Sequence, residues 1–311
     1  MRKTDWYSFG AWTLETPALR VTIVPELGGK IVSLIDHYSG YEWLFAPQSP
    51  PQRPHYGAVF TDYNPCGWDE MFPTIVECPV PSTPDENLPD HGELWSLPWE
   101  VVGNSDNAIT LRTRGKQPSY PYTLTRQVHL EGDCLRLSYL LDNHADRPLP
   151  FLWAAHPLFK GHDHMRIELP PEVQSVVNVM AHPTLGQVGR GMNWPTTSLV
   201  PSSVKALNRM GDATLADCRK FYTPPEIAVG KASLVHEGIG RKLTMRWDTQ
   251  IAPYLGIWVD EGVYTPETTV ALEPGSGYYD SLETAIQNER VASVAPGDVI
   301  KWWLEVELSA V

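Results

Sequence analysis

Hydrophobic and polar residues alternate with a period of two over much of the chain. The clearest case is Tyr122, Leu124, Arg126, Val128 and Leu130 set against Thr123, Thr125, Gln127 and His129. A turn at Glu131-Gly132-Asp133 follows, and then Leu135, Leu137, Tyr139 and Leu141 alternate with Arg136, Ser138 and Leu140. Such patterning on both sides of a Gly-containing turn predicts an antiparallel hairpin. A polar loop from Asp142 to Pro148 leads into a strand-like run from Leu149 to His156. The ends of the chain read alike. Ala18 to Pro25 is rich in β-formers, Gly28-Gly29 punctuates it, and Lys30 to Ile35 resumes it. Near the C-terminus the turn Ala295-Pro296-Gly297-Asp298 precedes a final strand from Val299 to Leu308, and Lys242–Trp247 and Tyr254–Val259 read as further strands.

Helical patterns are few. Asp280–Asn288 predicts a short helix capped by Asp280 or Ser281, and Ser202–Met210 gives a weaker helical signal. Two proline-rich stretches, Pro47–Pro54 and Pro79–Pro89, read as long surface loops. No internal repeat or low-complexity linker interrupts the pattern. The expectation is an all-β fold of many short strands, with residues 1–311 forming a single two-layer β-sandwich domain.

Composition sharpens this picture. The chain has 29 prolines among 311 residues, which disfavours long helices. Its hydrophobic fraction of 42% and charged fraction of 20% are those of an ordinary globular protein. The net charge of −13 argues against a nucleic-acid partner, which needs a basic surface to neutralise phosphates. No apolar stretch approaches the roughly 20 residues that span a bilayer, so no membrane partner is expected. Basic residues near Met1 are not followed by an apolar segment, and the expected location is cytoplasmic. Cys66, Cys78, Cys134 and Cys218 form no Cys-x-x-Cys pair and read as free, mostly buried thiols. The 12 tryptophans suit a core equally with the apolar faces of sugar rings.

Four segments place titratable groups among residues that should be buried or held in turns. In Asn64–Pro73, the carboxylates Asp69 and Glu70 lie between Trp68 and Phe72. A solvated turn explains Glu70 well enough. For Asp69 with Trp68 a carbohydrate site fits equally, since carboxylates accept hydrogen bonds from sugar hydroxyls and tryptophan covers C–H faces. In Pro89–Trp95, His91 lies between an acid and a glycine and suits either an exposed turn or an oriented imidazole. His156 ends an apolar strand, where a histidine is more often a satisfied core residue than a catalyst. Glu273 ends the apolar run Val270-Ala271-Leu272 and enters a Gly-rich turn. If buried, it must be paired or used, which makes it the most informative residue of the chain. His162 and His164, at i and i+2, lack a third ligand at a recognised spacing and read as a polar loop, so no metal is expected.

In order and placement these segments resemble the aldose 1-epimerase (galactose mutarotase-like) superfamily. The matching pieces are Gly28-Gly29-Lys30-Ile31, Asp90-His91-Gly92-Glu93-Leu94-Trp95, Ala155-His156-Pro157-Leu158-Phe159, Leu272-Glu273-Pro274 and the strand after Pro296-Gly297-Asp298. The resemblance implies a large antiparallel β-supersandwich and the interconversion of α and β anomers of a free aldose, with no cofactor. It implies Glu273 as general base, His156 as general acid, and His91 as the residue that binds and polarises the sugar ring oxygen. A family aspartate that binds sugar hydroxyls has a loose match in Asp217. The best-known galactose mutarotases carry an Asn-Arg pair ahead of the first histidine, where this chain has Gly67-Trp68-Asp69-Glu70. Asp90 stands where they place asparagine, and Ala155-His156-Pro157 replaces Asn-His-Ser. The chain is thus expected to sit in a divergent branch.

The expected partner is a small sugar. Two other functions fit the same residues: a non-catalytic carbohydrate-binding protein on this fold, and a glycoside hydrolase or lyase using Asp69 or Glu70 with Glu273. A phosphorylated sugar would call for converging cations, for which Arg53, Lys160 and Arg190 are the candidates.

Overall fold

The computed structural model describes residues 1–63, 65–200 and 203–311. Asn64 and Ser202, which open two of the segments read above, lie outside the described residues. The chain is built almost wholly from antiparallel strands. The hairpin forms as its alternation predicts, Tyr122–Glu131 pairing with Cys134–Asn143 and Leu130 opposite Leu135. The predicted short helix spans Leu282–Gln287, and Ser281 caps it by accepting a hydrogen bond from the Thr284 amide.

Three expectations are corrected. The weak helical signal over 202–210 gives way to a strand, Ser203–Ala206, paired with Thr196–Val200. Its valine and polar neighbours offer no apolar stripe for a helix to bury. The proline-rich stretch 79–89 is largely a hairpin, Cys78–Val80 against Thr83–Leu88. The run Leu149 to His156 divides in two. Leu149–Phe151 pairs with Ala292–Val294, whereas Ala154–Pro157 joins the main sheet.

Among the described residues two sheets dominate, one of 13 strands and one of 8. The larger runs through Leu19–Val24, Lys30–Asp36, Trp68–Met71, Ala154–Pro157, Thr268–Gly275, Tyr254–Glu261 and Asp217–Tyr222 as hydrogen-bonded neighbours. The smaller sheet centres on Val299–Ala310, flanked by Cys134–Asn143 and Arg241–Trp247. Their facing surfaces interleave into one hydrophobic core that includes Trp68, Phe72, Trp153, Phe221, Leu272, Leu137, Trp302 and Leu304. Packing two alternating sheets in this way removes one face of every strand from water, so each odd–even choice along a strand decides core or surface. All four cysteines are free thiols. Among the described residues no helix is long and apolar enough to cross a membrane.

Candidate active site

The site lies on the face of the larger sheet that points away from the core, and register places it there. Asp69 is directly opposite His156. Ala154 is opposite Gly275, so His156 and Glu273, each two residues away, project on the same side. Glu273 is opposite Gly256, and Gly256 is opposite Tyr222. Lys220, two residues before Tyr222, completes a polar row that begins at Lys30 and crosses six strands. A Cβ at Gly256 would crowd this row, lying 3.1 Å from Glu273 Oε2.

At the centre, His156 Nε2 lies 3.8 Å from Glu273 Oε1. The two residues are 6% and 1% exposed. Lys220 Nζ sits 2.8 Å from the other carboxylate oxygen, Oε2, and 2.9 Å from Asp280 Oδ1. The Tyr222 hydroxyl donates to the same Asp280 oxygen at 2.8 Å. On the far side of His156, Lys30 Nζ pairs with Asp69 Oδ2 at 2.9 Å and donates to the Cys66 carbonyl. The His156 Nδ1 atom is buried without a protein hydrogen-bond partner among the described residues.

His91 reaches the row from a loop. Its backbone is left-handed, with φ of 57°, a conformation that costs a non-glycine residue about 1 kcal/mol. The conformation is held by the His91 amide donating to the Ile75 carbonyl at 2.6 Å, and by Gly92, whose Cβ would collide with the Phe72 carbonyl. Nδ1 of His91 contacts Asp90 Oδ1 at 2.8 Å, while Asp90 Oδ2 accepts the Phe60 amide. Phe60 stacks on the His91 ring at 4.1 Å and meets His156 edge-on at 5.3 Å. It therefore covers both imidazoles. Solvent reaches the site beside Asp90, His91 and Asp280, whose side chains are 31%, 21% and 18% exposed.

Burial is the main influence on both central groups. It raises the Glu273 pKa, against the pull of Lys220. It lowers that of His156 well below the usual histidine range, and the positive charges of His91, Lys220 and Lys30 lower it further. Burial also opposes the charge on Lys220, but Asp280 and Glu273 outweigh it and the lysine remains an ammonium ion. Asp90 is held below the ordinary carboxylate range because its hydrogen bond and ion pair with His91 overcome burial.

Of the residues expected from sequence, the structure gathers Glu273, His156, His91 and Asp69. It does not gather three others. Trp68 is wholly buried in the core beside Phe159, and Glu70 on the same face is likewise 0% exposed. Glu70 accepts from Arg126, Tyr139 and Trp153, so it is a core anchor and not a sugar ligand. The cause is strand alternation: of three consecutive residues, only Asp69 faces the site. Asp217 fails for the same reason. It lies an odd number of positions before Lys220 and points to the opposite face, where it pairs with His182, Lys205 and Arg219. The residue that faces Glu273 from that strand is Lys220. Lys220, Asp280, Tyr222 and Phe60 were missed in the sequence. The one available signal was the cation pair Arg219-Lys220 beside the aromatic residues Phe221 and Tyr222.

Other candidates lie elsewhere. Arg53 pairs with Glu26 at the surface, and Arg190 donates to the Leu185 carbonyl. His162, Asp163 and His164 are exposed in the loop between the Phe159–Lys160 and Met165–Glu168 strands, with ligand atoms within 4.8 Å of one another. Glu93, from the His91 segment, is a buried anchor that accepts from the Tyr56 hydroxyl and the Lys116 and Gln117 amides.

Comparison with known proteins gives a family and a fold. The family model described as aldose 1-epimerase matches residues 10–175. The YphB protein of Escherichia coli K12 is 30% identical over 78 residues, which are 25% of this chain and 27% of that protein. The match thus spans about a quarter of the relative's length. Two solved structures share the fold. The Slr1438 protein of Synechocystis sp. PCC 6803 superposes with a TM-score of 0.72 at 18% identity, covering 100% of both chains. A galactose mutarotase-like protein from Lactobacillus casei gives 0.70 at 19% identity, covering 96% of this chain and 100% of that one.

Proposed function

The chain belongs to the aldose 1-epimerase family, and we propose that it interconverts the α and β anomers of a free aldose, with Glu273 as general base and His156 as general acid. The observation that carries this reading is the 3.8 Å separation of Glu273 Oε1 and His156 Nε2 on one sheet face. The hydroxyl oxygen and the ring oxygen of a hemiacetal share one carbon, so both reach hydrogen-bonding distance of two groups spaced in this way.

The reaction balances within that pair. Glu273 takes the proton of the anomeric hydroxyl as the C1–O bond to the ring oxygen breaks. His156, as imidazolium, gives its Nε2 proton to the departing ring oxygen. The products are an open-chain aldehyde, a protonated Glu273 and a neutral His156. Rotation about C1–C2 exposes the other carbonyl face, and closure runs the two transfers backwards. No net proton is consumed. His91, fixed through Nδ1 by Asp90, offers its other nitrogen to the sugar. Lys30 and Asp69 form a buried ion pair on the far side of His156.

The test is the rate of mutarotation of freshly dissolved aldoses, followed by polarimetry or saturation-transfer NMR. Acceleration that disappears in Glu273→Gln and His156→Ala supports the reading. Saturable binding without acceleration would replace it with a carbohydrate-binding role, and release of a sugar from an oligosaccharide would replace it with hydrolysis.

A further inference from the structure

We propose that Asp280 binds the hydroxyl on carbon 2 of the substrate and that Lys220 is the positioning residue that locks this carboxylate and the base into one unit. The inference rests on the mutarotase reading above and adds a sugar-binding arm to it.

The geometry makes Lys220 a bridge. Its Nζ lies 2.8 Å from Glu273 Oε2 and 2.9 Å from Asp280 Oδ1. Two carboxylates that close together repel unless a cation stands between them. The bridging ammonium permits the approach and fixes the rotamer of each. One oxygen of Glu273 is thereby committed to Lys220, which leaves Oε1 on the His156 side to take the proton. One oxygen of Asp280, Oδ1, is committed twice, to Lys220 and to the Tyr222 hydroxyl.

The Asp280 side chain is 18% exposed, whereas that of Glu273 is 1% exposed. Asp280 is therefore the more solvent-accessible of the two carboxylates, and its second oxygen, Oδ2, is used by neither Lys220 nor Tyr222. Its backbone is anchored as well, because the Asp280 carbonyl accepts the Ile75 and Val76 amides at 3.0 and 2.8 Å. A carboxylate held at both main chain and side chain is a preorganised hydrogen-bond acceptor. The hydroxyl vicinal to the anomeric centre follows from adjacency. Glu273 meets the oxygen on carbon 1, and one ammonium ion separates Glu273 from Asp280. The next oxygen along the ring, on carbon 2, is the one that spans this step.

The experiment compares glucose with 2-deoxyglucose in wild type, Asp280→Asn, Lys220→Arg and Lys220→Met, reading mutarotation kinetics and calorimetric binding together. Thermal unfolding confirms that each variant is folded. A hydrogen bond to a charged group carries discrimination of roughly 10–100-fold. Asp280→Asn is expected to lower the preference for glucose over 2-deoxyglucose, in both kcat/KM and affinity, by about that factor. Lys220→Met is expected to lower kcat for both sugars and to displace the acid limb of the pH profile upward, because Glu273 loses its cation; Lys220→Arg is expected to restore part of both. Equal losses for the two sugars in Asp280→Asn would overturn the assignment of the carbon-2 hydroxyl. An unmoved pH profile in Lys220→Met would overturn the role of the lysine. A wild-type protein that binds both sugars without accelerating mutarotation would refute the enzymatic reading alone, since the calorimetric comparison still decides the Asp280 contact.

Discussion

Two fully buried carboxylates, two strands apart in the larger sheet, show how differently one chemical group can be held in one fold. Glu70 sits between the sheets. Arg126 and Tyr139 donate to its Oε1 at 2.8 and 2.9 Å, and Trp153 Nε1 donates to Oε2 at 2.8 Å. Both of its oxygens are satisfied by donors from three other strands or loops, and no part of it is exposed. Glu273 sits on the other face of the same sheet. Lys220 contacts one of its oxygens, and the other faces His156 at a distance too long for a hydrogen bond. The saturated carboxylate joins two sheets. The unsaturated one retains a lone pair with which to take a proton. The comparison teaches that burial of an acid identifies neither function nor structure. The count of donors around it separates the two.

The largest effect that would test this contrast is on catalysis. Glu273→Gln is expected to slow mutarotation by about 10²–10⁴-fold, the range for a positioned general base, with little change in unfolding midpoint. Glu70→Ala is expected to do the reverse. It strands a buried Arg126 charge and should cost about 3–5 kcal/mol in denaturant unfolding. A Glu70→Ala variant as stable as wild type but inactive would invert the assignment of the two acids.

The next effect concerns pH. The proposed mechanism requires Glu273 ionised and His156 protonated. As pH falls, activity is lost through the Glu273 pKa, which burial has raised. As pH rises, it is lost through the His156 pKa, which burial and three neighbouring cations have lowered. The two limbs thus move toward each other, and the profile of kcat/KM against pH is expected to be a narrow bell. A plateau from about pH 5 to 9 would sink the paired mechanism.

Access to the site gives a smaller effect. Phe60 packs on the rings of both His91 and His156. Phe60→Ala is expected to shift KM several-fold, about 1 kcal/mol, and to leave kcat near wild type. An unchanged KM would show that the ring does not gate entry. The smallest effect lies at Asp217, on the core-side face. Lys205 and His182 outweigh partial burial and lower its pKa from 3.8 to about 2. Its stabilisation is present above the ordinary pKa and is lost as pH falls through about 2. Because Asp217 is partly exposed, Asp217→Asn should cost under about 1 kcal/mol at pH 6, and the difference should vanish near pH 2. Activity should be unaffected, which separates Asp217 from the site.

Much of this molecule could be read along the chain because its signals are local. The alternation from Tyr122 to Leu141 and the turn at Gly132 specify the hairpin, and Ser281 marks the start of the only α-helix found among the described residues. The segments around His91, His156 and Glu273 are also local patterns, in which a titratable group interrupts an apolar or glycine-rich run. A period of two says that Trp68, Asp69 and Glu70 face alternately. It does not say which face meets the other sheet, and so it could not separate Asp69 from its neighbours or Asp217 from Lys220. That choice belongs to the packing of the sheets, where one face loses water and the other does not. Lys220, Asp280 and Phe60 come from parts of the chain with no pattern in common. Their contacts with Glu273 and His156 exist because strand order and register bring distant segments together, and no local sequence rule encodes a distance between residues that far apart.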